Sequence, residues 1–276
     1  RTKAMVQRVR VHPERGFVLE GRGLEPLHAR SLMLATGGHP SGRKLVEALG
    51  HQVVPPVPSL FSLALQAPEL TACSGIAIDD VGLDLKLGSQ RFRQTGRVLI
   101  THRGLSGPAT LRLSAFAARS LHYSRYRGEL KLDWSAWLGR QGVEQRLQQW
   151  RQDQARRTLS AAKPFEHLPR RLWQAFLAMA GVEADRRWAD LPLKAERQLV
   201  ELLCAQRLSI KGRGPFGEEF VTAGGVALGE VNLATMESRR CPGLYLAGEL
   251  LDVDGVTGGF NLSLIHISEP TRQASI

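Results

Sequence analysis

Cysteine is scarce in this sequence. Its three residues, Cys73, Cys204 and Cys241, lie far apart, and no CxxC pair occurs. That spacing argues against a disulfide framework and against a structural metal site, and leaves reduced, buried thiols as the reading. Long apolar runs are also missing. Nothing approaches the ~20 uninterrupted apolar residues of a membrane helix, so no membrane partner is expected. The first residues carry no signal-peptide pattern, but the chain opens on Arg1 rather than Met, so this absence has no weight. A cytoplasmic location is the expectation. The sequence has one literal GxGxxG, Gly212 to Gly217, and it lacks the preceding strand that a dinucleotide-binding turn requires. The Gly-rich stretch KGRGPFG at Lys211–Gly217 follows a helical pattern and reads as a loop. Internal repeats and low-complexity tracts are absent as well.

Acidic residues are in short supply: 26 Asp and Glu stand against 37 Lys and Arg, a net charge of +11. Such an excess fits solvated helix faces first, an anionic ligand or cofactor second and nucleic acid third. The arginines are scattered, and many fall in helix-like stretches such as Arg140–Arg157. Aromatics do not interleave with them in a stacking pattern. No nucleic-acid partner is therefore expected. The remaining composition, 43% hydrophobic and 23% charged, is that of a folded globular protein, and 276 residues suffice for one large or two ordinary domains.

The first 35 residues read as β-structure, with VQRVRVHP alternating and GFVLEGRG closing on glycines. The apolar run Ser31–Ala35 then stops at Thr36-Gly37-Gly38, as a strand buried in a parallel sheet would. KLVEALG reads as a short helix capped by Gly50. The Pro-rich VVPPVPSL reads as a crossing between domains. From about Leu60 to Leu132 the segments FSLALQAP, GIAIDDVGLDLKL, GRVLITHRGLSGPA and RGELKLDW are short and β-rich, which suggests a small barrel-like sheet. ATLRLSAFAARSL interrupts them as one helix. From about Ser135 to Leu208 the apolar spacing is helical, in GVEQRLQQWRQDQARRTL, LPRRLWQAFLAMAGV and LKAERQLVELLCAQRL. EEFVTAGGVALGEVN and CPGLYLAGELLDVDGVTGGFN return to strand and turn.

Two strand ends share one design. LMLATGG and LYLAGE each run apolar residues into Ala and then Gly. At the carboxyl end of a parallel strand a missing Cβ lets the backbone approach a ligand, and an acid just beyond it, here Glu249, can accept hydrogen bonds from sugar hydroxyls. In DVDGVTGGFN, Gly255, Gly258 and Gly259 allow close backbone contact, Thr257 and Asn261 can cap or donate, and a helix expected next would direct its N-terminus at an anion. Asp252 and Asp254 make only half of a calcium loop, so no metal site is expected. His102 reads better as a satisfied side chain than as a base. Ser106 lacks the last glycine of GxSxG, whose place Pro108 takes. Cys73 has no histidine nearby. No catalytic acid or base is identified.

LATGG, LGHQVVPPVPSL, THRGLSGPA, EEFVTAGGVALGEVN and TMESRRCPGLYLAGELLDVDGVTGGFN together resemble the flavoprotein family of NAD(P)/FAD-dependent oxidoreductases of the HI type, also called YhiN-like or aminoacetone-oxidase-like FAD-binding enzymes. The resemblance runs from about Ala4 to Asn261. It implies an α/β fold, a partial Rossmann-type FAD-binding domain with inserted β-barrel-like and helical domains. Residues 1–55 and 220–262 would belong to the FAD domain, 56–134 to the β-rich insert and 135–219 to the helical one. The implied cofactor is FAD, with NAD(P)H left open, and the implied partner is a small-molecule substrate. Carried onto this sequence, Thr36, Gly37 and Gly38 would approach FAD, and Gly248 and Glu249 would meet its ribityl-pyrophosphate part. Asp254, Gly255, Thr257, Gly258, Gly259, Phe260 and Asn261 complete the set, with Gly255 to Asn261 passing along the isoalloxazine. A flavin-binding protein without turnover, or a basic nucleic-acid-binding protein, is the alternative.

The family's GxGxxG, with its acidic ribose ligand, would precede Arg1, and a helix completing the flavin site would follow Asn261. LSLIHISEPTR stands there instead. It resembles the translation of a transposase-type sequencing adapter, so Ser263–Ile276 is expected to be non-native. The chain is then expected to be a fragment that binds FAD poorly and lacks activity, with its oligomeric state open.

Overall fold

The computed structural model describes residues 3–14, 16–214 and 221–256. The chain divides into two units. One is split between the two ends of the chain, running through Ser59 and again from residue 219; the other is the continuous stretch Leu60–Glu218. The first unit opens with an antiparallel sheet of β1 (Met5–His12), β2 (Gly16–Arg22) and β3 (Leu24–Ala29), followed by β4 (Leu32–Leu34), helix α1 (Pro40–Ala48) and β5 (Val53–Ser59). The second unit comprises β6 (Leu63–Leu65), α2 (Pro68–Thr71), β7 (Ala77–Leu87), β8 (Gln90–Thr101), β9 (Gly104–Ser106), α3 (Pro108–Phe116), α4 (Ala118–Tyr123), β10 (Gly128–Asp133), α5 (Gly139–Asp153), α6 (Arg170–Met179), α7 (Leu193–Ala205) and β11 (Gln206–Arg213). The chain returns to the first unit through β12 (Val221–Val226), β13 (Val231–Asn232), β14 (Glu237–Ser238) and β15 (Leu244–Leu246).

Six strands of the second unit close a barrel in the order β10-β11-β6-β9-β8-β7. Alternation drives it. Along β7, Val81, Leu83, Leu85 and Leu87 are buried while residues between them face outward, and Gly88, at φ 58, turns the chain tightly into β8. Closure leaves no open sheet edge. The last barrel strand, β11, comes from beyond α5–α7, so the helices are inserted between two neighbouring barrel strands, β10 and β11. Here the structure departs from the helical periodicity, which runs on to Leu208. Helix α7 stops at Ala205, because Leu208 and Ile210 pair with Leu130 and Gly128 of β10. Gln206 turns its side chain inward and accepts the Trp134 indole N–H at 2.8 Å. The helices pack around Trp134, Trp173, Trp188 and Phe176, each at most 1% exposed.

Two further expectations shift. The single helix over Ala109–Leu121 is broken into α3 and α4 at Ala117, whose φ of −96° and ψ of 7° lie off the helical values. The Pro-rich crossing is a strand. Among the described residues β5 pairs with β12 alone, so Pro55, Pro56 and Pro58 sit in an edge strand, where missing N–H groups are tolerated. No helix among the described residues is long and apolar enough to cross a membrane.

In the first unit Val46, Leu34, Val226, Leu244 and Leu246 are buried together with Phe17. One polar pair is enclosed with them. His51 and Ser238 are each 5% exposed, and Nε2 of His51 lies 2.7 Å from the Ser238 hydroxyl. That hydroxyl oxygen already accepts the backbone N–H groups of Arg240 and Cys241, so its proton points to the histidine. Nδ1 then donates to the Val46 carbonyl at 3.3 Å, and the ring is neutral. Burial pushes the His51 pKa below its ordinary 6.5, against the pull of the Val46 carbonyl and Glu230. The lowered value sets the sign of a pH effect. The contribution is full above the unfolded pKa and is lost as pH falls through the lower folded one. Denaturant midpoints are therefore expected to drop between about pH 7 and 5, and His51→Gln is expected to remove that slope. A wild-type profile flat over this window contradicts the assignment.

Candidate functional site

The site begins where β4 and β15 end. The two strands pair in parallel, Leu32 with Leu244, Met33 with Tyr245 and Leu34 with Leu246, although more than 200 residues separate them. The ladder is extended when Ala247 N–H donates to the Leu34 carbonyl at 3.1 Å. Just beyond, both chains enter the left-handed region, Gly37 at φ 61 and Gly248 at φ 69. A Cβ added at either glycine would meet nothing within 4 Å. The two backbones therefore run side by side into open space at the carboxyl edge of the sheet.

Glu249 is held beside them. Its Oε1 accepts the Thr222 N–H at 2.7 Å, which ties it to the start of β12. Gly38 lies close against both: a Cβ there would sit 3.2 Å from Thr222 Oγ1, a tight approach, and 3.4 Å from Glu249 Cδ, an ordinary contact. The Arg43 guanidinium, from α1, donates to the Gly38 carbonyl. Thr36 serves the helix: a Cβ on Gly42 would fall 1.8 Å from Thr36 Oγ1, so the threonine packs directly on the α1 backbone. His39 caps α1, its Nδ1 accepting the Ser41 N–H at 3.2 Å, with Pro40 in the first turn and no acidic residue there.

The segment after Gly248 is threaded past β12. Val226 bridges Leu251 in parallel, and Asp252 N–H donates to the Val226 carbonyl at 3.0 Å. Only glycine passes at this crossing. Gly225, at φ 151, would carry a Cβ 2.4 Å from the Leu250 carbonyl oxygen, and Gly224, at φ 121, one 2.7 Å from the Pro55 oxygen. Asp254 is fixed by the buried Ser59, which donates to Oδ2 at 2.8 Å. The half-buried Gly255 follows it. The structure thus brings Gly37, Gly38, Gly248 and Glu249 together and ties Asp254 to the end of β5. Thr257, Gly258, Gly259, Phe260 and Asn261 lie outside the described residues.

Sequence reasoning passed over Thr222, Ser59 and the Gly224-Gly225 pair. The consecutive glycines of TAGGV were the available signal, since two in a row inside a strand mark a close backbone approach. The thiols offer no chemistry: all three are buried, and burial pushes Cys204 up to about 11 and also raises Cys241. Ser106 accepts a hydrogen bond from Ser62 at 2.8 Å. Two strand ends with no side chain in the way, and a carboxylate beside them, make a bed in which an extended polar ligand can lie along the backbone. A group with ribose hydroxyls and phosphates fits that donor set.

This is a mixed α/β chain built on a six-stranded barrel, with paired strand ends presenting open backbone. Residues 57–221 match the HI0933-like protein barrel and H2TH domain, more than half of the sequence, and the chain belongs to the HI0933-like family. It is 32% identical over 259 residues to the ribosomal RNA dihydrouridine synthase of Escherichia coli, covering 90% of this chain and 60% of that protein. The Haemophilus influenzae protein of the same name is 29% identical over 268 residues, 94% of this chain and 63% of its own length. The 3-dehydro-bile acid delta(4,6)-reductase of Clostridium scindens is 30% identical over 263 residues, 90% of this chain and 62% of that protein. The chain spans about three fifths of the length of these relatives.

These relatives overturn one expectation. Nucleic acid was set aside as a partner because the arginines are scattered along the sequence, yet two relatives are named for ribosomal RNA. Scatter along the chain says little about spacing on a folded surface, and charge acts through space.

Proposed function

We propose that this protein is an FAD-dependent reductase acting on an RNA base, with the first unit forming part of a Rossmann-type cofactor domain. The observation that carries the cofactor assignment is the parallel pairing of β4 and β15, with both chains turning left-handed at Gly37 and Gly248. There the backbone meets the cofactor without steric hindrance, Glu249 accepts a ribityl or ribose hydroxyl, and the Arg43–Gly38 contact holds the first turn of α1 against the strand end. Bound flavin supplies a hydride carrier between a nicotinamide and the substrate. The reaction class is supported by the chemistry in the relatives' names. Making dihydrouridine and reducing a 3-oxo-4,6-diene both saturate a carbon–carbon double bond conjugated with a carbonyl. A hydride goes to the carbon of that bond remote from the carbonyl, the β-carbon in uracil, and a proton to the other carbon. The excess of 11 positive charges favours the RNA substrate over a steroid.

The test uses protein expressed from the complete reading frame. It is expected to purify with the visible absorbance of oxidised flavin and to consume NAD(P)H when given ribosomal RNA, leaving dihydrouridine in the product. Gly248→Ala adds a methyl where the structure leaves open space, so the fold loses only left-handed strain of about 1–2 kcal/mol. Flavin retention is expected to fall at least about tenfold, the equivalent of ~1.4 kcal/mol, with an unchanged circular dichroism spectrum. Full flavin content in that variant would remove the strand ends from the cofactor site. Turnover of a 3-oxo-4-ene steroid without turnover of RNA would replace the substrate.

A further inference from the structure

The barrel unit carries a charge asymmetry that neither the strand ends nor the cofactor uses. Between Asp84 and Glu129 the sequence has no acidic residue, yet it holds eight arginines. Five of them lie at the two ends of this stretch, and the two ends differ. On β8, Arg91 and Arg93 are committed to Asp84, and Arg97 lies 3.6 Å from Asp79. At the other end of the stretch, Arg125 and Arg127 are exposed, and no ion pair among the described residues holds either one.

These two cations flank a fixed turn. Arg125 and Tyr126 are consecutive non-glycine residues in the left-handed region, at φ 54 and 57. Tyr126 secures that conformation from inside: its ring meets Phe61 edge-on at 5.6 Å, its N–H donates to the Leu121 carbonyl at 2.6 Å, and its hydroxyl lies 3.2 Å from His122. The Arg213 guanidinium stacks 4.8 Å above the same ring. One turn earlier, at the end of α4, Tyr123 is 81% exposed. It borders a groove of about 410 Å³ whose walls include Gln90, Arg119 and Ser120. An aromatic ring this exposed, at the end of a helix, beside a groove and just before a turn flanked by two cations, has the three elements of a single-stranded nucleic-acid contact.

We propose that α4 and the turn after it bind single-stranded RNA, one base stacking on Tyr123 over the groove while Arg125 and Arg127 take the neighbouring phosphates. This rests on the RNA-substrate reading above and adds the surface that holds the strand. Stacking accepts any base, so the ridge supplies affinity and orientation and leaves base choice to the reaction site.

The experiment measures binding of a fluorescently labelled single-stranded RNA to the protein from the complete reading frame, by anisotropy at rising potassium chloride. Arg125→Gln/Arg127→Gln is expected to lower the slope of log K against log salt by about 1.4, two single-strand phosphate contacts. Tyr123→Ala is expected to weaken binding about 5- to 100-fold, and Tyr123→Phe to restore it. Arg156→Gln/Arg187→Gln removes the same charge from two exposed sites elsewhere in the unit and is the control. Thermal melting of each variant accompanies the titrations, and the arginine pair keeps the test open should Tyr123→Ala fold poorly. If the ridge variants bind as the wild type does, or the control pair loses as much as the ridge pair, the ridge is not the RNA surface while the RNA reading stands. If the wild-type protein binds no RNA, the substrate reading falls and the ridge falls with it.

Discussion

Gly225→Ala is expected to cost about 3–5 kcal/mol, the sum of a backbone conformation open essentially to glycine and a forced displacement of packed main chain. Gly225 lies where β12 crosses the segment leaving Gly248. A methyl there falls 2.4 Å from the Leu250 carbonyl oxygen and 2.5 Å from the Leu251 carbonyl carbon. Both are backbone atoms, so no side-chain rotation relieves the clash. The segment must move, and with it go the Val226–Leu251 bridge and the Asp252 hydrogen bond that bring Glu249 to Thr222. Against a usual stability of about 5–15 kcal/mol this is a large fraction of the whole. Gly229→Ala is the control: a Cβ there meets nothing within 4 Å, and its effect is expected within about 0.5 kcal/mol. Urea midpoints of the two variants decide the matter. A Gly225→Ala protein as stable as the control would mean that the crossing yields to a methyl group at no cost.

Trp173→Ala is expected to be as damaging in the second unit. The ring is fully buried, stacks on Trp188 with centroids 6.3 Å apart and planes 13° apart, and meets Phe165 edge-on. Its indole N–H donates to the Leu159 carbonyl at 2.8 Å, while Trp188 donates to the Ala162 carbonyl at 2.9 Å, so the two indoles fasten the loop between α5 and α6 to the helices. Truncation leaves a cavity, costing about 3–5 kcal/mol, and a buried carbonyl without its donor, costing about 1 kcal/mol more. Trp173→Phe keeps most of the volume and is expected to lose less than half as much. Calorimetric melting compares them, and a Trp173→Ala loss below about 1 kcal/mol, the range of ordinary substitutions, would show that the helical layer does not depend on this stack.

Much of the architecture is legible locally. Alternation along the VGLDLKL half of GIAIDDVGLDLKL marks a barrel strand because every second side chain from Val81 to Leu87 is buried, and three- to four-residue spacing marks α5, α6 and α7 for the corresponding reason. The strand ends LMLATGG and LYLAGE are readable because a glycine after an apolar run changes what the backbone can do at that residue. Other features gave misleading local signals. The prolines of β5 look like a linker, and only its place beside β12 alone makes them acceptable in a sheet. Gln206 to Leu208 continues a helical pattern, yet pairing with β10 wins because the barrel needs its sixth strand. RSLHYSRYRG does interleave arginine with tyrosine, but it is short, and the inward anchoring of Tyr126 that leaves Arg125 and Arg127 exposed is invisible until Phe61 is set against it.

By itself, then, the sequence determined which segments have a buried face and where the backbone must leave the ordinary conformations, because each of these depends on neighbours within a few residues. The tertiary structure alone decided which distant segments meet: β4 with β15, β12 with the crossing after Gly248, β11 with the barrel, and Glu249 with the N–H of Thr222. Those pairings join residues from 25 to more than 200 positions apart. Their choice rests on the joint burial of both partners and the satisfaction of both backbones, a condition that neither segment carries alone.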